Sequence, residues 1–97
     1  MIRLLPAAEA DLEAIADYIA RDNPVRAVSF IAELREICRS LAAMPLAFPL
    51  VPRYADHGIR HRPHGQYQIF YRPIGTPPCI DILHILHGAR DLAAILF

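Results

Sequence analysis

The residues of this chain best suited to chemistry are arginine and histidine, and those placed to act together lie in its second half. Arg60, Arg62 and Arg72 fall in strand-like patterns. An apolar run, Cys79-Ile80-Asp81-Ile82-Leu83-His84-Ile85-Leu86, ends in His87-Gly88-Ala89-Arg90-Asp91. Arginine offers a planar fork that suits carboxylates and phosphates, but it stays protonated and serves poorly as a base. Histidine titrates near neutrality and can deliver a proton. Together they could stabilise developing negative charge and protonate a leaving group; equally, they could form a recognition surface. A general base is harder to find, because the chain has no lysine and no glutamate after Glu36. By alternation Asp81 shares a face with His87, yet it lies about 20 Å away along an extended strand.

The remaining candidates read more plainly. His57, His61 and His64 are spaced like metal ligands, but no Cys or Glu accompanies them and the stretch is irregular, which reads as a solvated loop. His84 and His87 are three apart on a strand and point to opposite faces. Cys38 and Cys79 lack ligand spacing and read as small core residues. No metal site is expected.

The elements that must position these groups follow from periodicity. Ile2 to Leu5 suits a short strand. Ala7 to Ala20 reads as a helix, with Ala8, Leu12, Ile15, Ala16 and Ile19 on one stripe. Glu9, Asp11 and Glu13 lie in its first turns, where they complement the helix dipole. Asp22-Asn23-Pro24 supplies a capping side chain and then a proline at the first helical position, opening a second helix that runs to about Ala43. Its apolar stripe includes Ala27, Phe30, Ile31, Leu34, Ile37, Cys38 and Leu41. A short link between two amphipathic helices makes an antiparallel hairpin. After Pro45 the segment 46–57 is irregular. Ile59 to Pro63, Gln66 to Arg72 and Cys79 to His87 read as strands joined by turns at His64-Gly65 and 73–78. Tight turns imply an antiparallel meander, covered on one face by the hairpin. Alternation groups Tyr67, Ile69 and Tyr71 on one face. Arg60, Arg62, Gln68 and Arg72 are expected on the other. The segment 91–97 suits a short helix or an extended tail.

Size and composition bound the function. Ninety-seven residues, 55% of them hydrophobic, make a single domain over 1–97 and exclude disorder. The longest apolar stretch is interrupted by Pro45 and Pro49 and is too short to span a bilayer. The start lacks a signal-peptide pattern, so a cytoplasmic protein is expected. Residues 1–45 carry five Arg against seven acids, a balance of −2, and residues 46–97 carry five Arg against three, a balance of +2. The formal net charge is zero, which does not suit direct sequence-specific binding of DNA.

At this point the chain resembles the RelE/ParE superfamily of toxins from bacterial type II toxin–antitoxin systems. The matching residues are Ala10-Asp11-Leu12-x-x-Ile15-x-x-Tyr18-Ile19 and Asn23-Pro24-x-x-Ala27-x-x-Phe30 in the hairpin. Further matches are Leu41 with Pro45, Gly58-Ile59-Arg60, Tyr67-x-Ile69-x-Tyr71-Arg72, and Ile85-Leu86-His87-Gly88-Ala89-Arg90-Asp91. The resemblance implies an α+β fold, with an N-terminal strand and an antiparallel helical hairpin packed on a twisted antiparallel β-sheet. It implies no cofactor. It also implies a hetero-oligomer with a cognate ParD-like antitoxin, whose N-terminal domain binds operator DNA. The antitoxin's remaining chain is expected to dock on the hairpin at Leu12, Ile15, Ile19, Phe30 and Leu34, and to run along the sheet.

The superfamily divides by activity. RelE-like members are ribosome-dependent mRNA endoribonucleases, a chemistry that would here fall to Arg60, Arg62, Arg72 and His87. ParE-like members poison DNA gyrase and are linked to plasmid stabilisation. RelE-like nucleases draw on lysines, a glutamate or a terminal tyrosine, whereas here Gly88 follows His87. The balance favours the ParE-like branch, with Arg60, Arg62, Arg72, His87 and Arg90 as the expected target-binding surface.

Overall fold

The computed structural model describes residues 1–88. Arg90, the Arg90-Asp91 pair and the tail 91–97 lie outside the described residues. The chain runs β1 (Ile2–Leu4), α1 (Pro6–Ala20), α2 (Pro24–Ser40), a 3₁₀ helix (Pro52–His57), β2 (Arg60–His64), β3 (Tyr67–Ile74) and β4 (Cys79–His87). The sheet has the order β1-β4-β3-β2. The last three strands form the expected antiparallel meander. β1 adds to it in parallel with β4, pairing Ile2 with Ile80 and Leu4 with Ile82. A parallel neighbour needs a long crossover, and the helical hairpin is part of it.

Local sequence explains where the elements start and stop. The Asn23 side-chain oxygen accepts from the Arg26 N–H at 3.0 Å, and Pro24 fits the first turn because its missing donor is not needed there. Past Ser40 the chain tightens into turns before Pro45. Gly65 turns β2 into β3 at a φ of 58°, a left-handed conformation that glycine adopts without a Cβ clash. β3 extends two residues beyond Arg72, through Pro73.

One apolar core joins the hairpin to the sheet: Leu12, Ile15, Phe30, Leu34, Cys38 and Leu41 pack on Ile69, Tyr71, Ile80, Ile82 and Ile85. Burial pushes the Cys38 thiol up to about 11, as the core reading of that residue requires. Glu9 of α1 and Arg35 of α2 brace the hairpin from outside with two hydrogen bonds, 3.0 and 3.2 Å. On the opposite face of the sheet, Tyr54, Ile59, Phe70 and Leu86 form a second, smaller cluster beside Val51 and Leu83. The central strands are thus covered on both sides, which is why β4 reads as a nearly continuous apolar run.

Two expectations about faces need correction. Arg60 stands opposite Tyr71, and Arg62 opposite Ile69. Directly opposed residues share a face, so both arginines lie on the helix side and not with Gln68 and Arg72. Alternation within each strand was sound, but apolar pattern did not fix the register between them. The second correction arises at a bulge. Phe70 pairs with His84 while Tyr71 pairs with Ile82, leaving Leu83 as the extra residue. An extra residue reverses the alternation that follows. Ile80, Ile82 and Ile85 therefore enter one core, and Asp81 and His87 finish on opposite faces.

Candidate functional site

The arginines expected to form one surface are dispersed, and two of them have structural partners. The Arg60 guanidinium donates to the carbonyl oxygens of Phe48 at 2.7 Å and Leu46 at 3.5 Å. Arg62 lies over the Phe48 ring, 5.0 Å from its centroid, and donates to the Pro63 carbonyl. Both therefore brace the segment between α2 and the 3₁₀ helix. The Tyr71 hydroxyl adds a third tie by donating to the Pro45 carbonyl at 3.0 Å. Desolvation raises the pKa of this phenol.

Arg72 sits on the outer face in a different setting. The register aligns Arg3, Asp81 and Arg72 across three adjacent strands. Asp81 is only 2% exposed, and Arg3 takes both of its oxygens, each at 2.9 Å. That bidentate pair holds the Arg3 guanidinium more firmly protonated than usual, mainly through the hydrogen bond to Asp81. Two cations thus flank one carboxylate that is already fully engaged. The Nε of Arg72 is buried and has no hydrogen-bond partner among the described residues. Its side chain passes beside Gly58, where a Cβ would stand 3.8 Å from Cγ of Arg72. Arg72 is the surplus charge of the outer face.

His87 lies at the far end of the helix side. It packs edge-on to Tyr67, centroids 5.6 Å apart, and bonds Gln66 at 3.2 Å. Together with Asp11, Ile15 and Tyr18 of α1, these residues line a groove of about 320 Å³ between α1 and the end of β4. Burial raises the pKa of the Tyr67 phenol. His61 and His64 correct the solvated-loop expectation, because both belong to β2. His61 Nδ1 meets Gln68 Oε1 at 3.1 Å. His64 stacks on Phe30 at 5.8 Å and reaches Glu33 at 3.4 Å.

The residues expected to receive the antitoxin are also corrected. Leu12, Ile15, Phe30 and Leu34 are buried in the chain's own core, with Ile19 packed against it, so their apolar stripe faces the sheet. What the hairpin exposes instead is Tyr18, Val25 and Val28. A second groove of about 530 Å³ follows its outer seam, lined by Glu9, Ala10, Glu13, Ala16, Ile31 and Arg35. Asp11, read from the sequence only as an acid that complements the helix dipole, also reaches β4. Its Oδ2 accepts from the Ile85 N–H at 2.9 Å and meets His84 Nδ1 at 2.8 Å. One signal was available: Asp11 lies three residues after Ala8 and four before Ile15, beside the buried stripe rather than opposite it.

The family model described as the ParE toxin of the type II toxin–antitoxin system parDE matches residues 2–92. The chain belongs to the ParE toxin family. Two solved structures share the ParE-type fold seen here. One, from P. aeruginosa, is described as a chromosomal ParDE toxin–antitoxin system. It aligns with a TM-score of 0.73 and 22% identity over 89% of this chain and 92% of that one. The other is the RelBE2 toxin–antitoxin complex from Mycobacterium tuberculosis, with a TM-score of 0.67 and 21% identity over 90% and 95% of the two chains. No curated protein matches the sequence. Among the described residues of this ParE-family chain, no helix is long and apolar enough to cross a membrane.

Proposed function

We propose that this ParE-family toxin acts in the cytoplasm by binding DNA gyrase, and that a ParD-like antitoxin neutralises it. The observation that carries this reading is the dispersal of its cationic groups. Arg60 donates to carbonyls and Arg62 lies over an aromatic ring of the chain itself, while Arg72 and His87 lie on opposite faces of the sheet. Transfer of a phosphoryl group needs charge stabiliser, acid and base around one reacting atom. A recognition surface makes no such demand, and Arg72, unpartnered among the described residues, suits it. Zero net charge points the same way, since gripping RNA favours surplus cations.

For the antitoxin, support comes from the hairpin. Its exposed Tyr18, Val25 and Val28 and the outer seam with Ala10 and Ala16 between Glu13 and Arg35 suit an amphipathic helix laid on a groove. The deciding experiment titrates antitoxin-free protein into a gyrase supercoiling assay. Inhibition with accumulation of cleaved DNA is expected, and Arg72→Ala should weaken it at least tenfold while the variant still binds antitoxin. Intact supercoiling activity, together with cleavage of mRNA on the ribosome, would overturn the gyrase reading in favour of a RelE-like nuclease.

A further inference from the structure

The two edges of the sheet are closed by different means. Along β2 the chain's own backbone does the work: Val51 N–H donates to the Ile59 carbonyl at 2.8 Å, and His61 N–H to the Pro49 carbonyl at 3.1 Å. At the other side β1 pairs with only Ile80, Asp81 and Ile82 of β4, and Leu5 N–H adds one last bond to the Ile82 carbonyl. From Leu83 to His87 β4 has β3 on one side, and no strand lies along its other edge among the described residues.

Which backbone groups face outward there follows from the ladder. Gly88 N–H donates to the Gln66 carbonyl at 2.8 Å, so by antiparallel alternation Leu86 and His84 also turn their backbone groups toward β3. Ile85 and His87 turn theirs outward. An incoming strand would take Ile85 N–H first, and that is the group Asp11 occupies, at 2.9 Å. The same carboxylate oxygen meets His84 Nδ1 at 2.8 Å. Both side chains are largely buried, 18% and 12% exposed. The segment Leu83-His84-Ile85-Leu86, with no strand along that edge among the described residues, carries no formally charged residue and is largely apolar, a composition that favours addition of a further strand when an edge is open.

We propose that Asp11 is an edge guard. By holding Ile85 N–H and anchoring His84 to α1, it keeps a second copy of this chain from pairing with the end of β4 that no strand among the described residues covers. The guard comes from a helix because β1 is only three residues long and stops before the hazard begins.

Site-resolved amide exchange on the full-length wild-type chain, combined with sedimentation of Asp11→Ala, tests this. In the wild type the Ile85 amide should exchange at least tenfold more slowly than the His87 amide. Equal rates overturn the proposal, since both groups would then be equally open or equally covered. Asp11→Ala should sediment as a dimer or larger at concentrations where the wild type is monomeric. A folded, monomeric Asp11→Ala overturns it as well. If that variant does not fold, the wild-type exchange rates alone decide.

Discussion

On its helix side the sheet is sealed by aliphatic packing that runs from Ala8 to Leu41 and involves all of β1, β3 and β4. On its outer side Tyr54 of the short 3₁₀ helix and Ile59 after it cluster with Phe70 and Leu86 of the sheet, followed by a row in which Arg3, Asp81 and Arg72 align across the strands. The first face leaves little to alter without loss of the fold. The second carries a charge beyond what its structure uses. If Arg72 serves target recognition as proposed, the sealed face carries the fold and the outer face carries that contact.

The largest effects should come from the sealed face. Leu34 is fully buried, and Leu34→Ala should cost about 2–5 kcal/mol in urea denaturation. Leu86→Ala in the outer cluster should stay near the low end, about 2 kcal/mol, because a four-residue cluster collapses more readily around a void. Equal losses would erase the contrast between the faces. Next comes the charged row. Arg3→Ala strands a buried carboxylate, but Arg72 is the neighbour able to swing onto it. The double variant Arg3→Ala/Arg72→Ala should therefore lose more stability than the two single variants added together; simple additivity would show that Arg72 cannot serve Asp81.

The smallest effect concerns the hairpin's outer brace. The hydrogen bond from Arg35, opposed by some desolvation, holds the Glu9 carboxyl below its ordinary 4.5. A carboxyl depressed in the folded state contributes stability above its unfolded value and loses it as pH falls through the folded one. The difference in Tm between wild type and Glu9→Gln should thus be complete at neutral pH and shrink below about pH 4.5. Exposure keeps it small. A difference that persists into acid would mean that Glu9 acts by packing.

Much of the first half was legible because helical periodicity and capping are local. Asn23 and Pro24 announced α2, and the stripe from Ala27 to Leu41 named its buried face. The same stripe misled about function: an apolar helix face reads identically whether it meets the chain's own sheet or a partner, and here the sheet takes it. In the second half the strands were legible but their relations were not. Register placed Arg60 and Arg62 beside Tyr71 and Ile69, and the bulge at Leu83 parted Asp81 from His87. Both depend on contacts between segments that no local pattern records. Asp11 was hidden for a related reason, since an acid in the first turns of a helix already has an ordinary explanation.

The segment following α2 is fastened through its carbonyls: Pro45 to the Tyr71 hydroxyl, Phe48 to Arg60, Pro49 to the backbone of β2. Every residue offers the same carbonyl, so apart from Phe48, whose ring meets Arg62 and the core, a path secured this way leans little on the side chains along it. Leu46 and Ala47 are exposed, and their side chains should tolerate replacement. A deep mutational scan should find them among the most permissive in the chain, and new partner preferences could be acquired there at little cost to the fold.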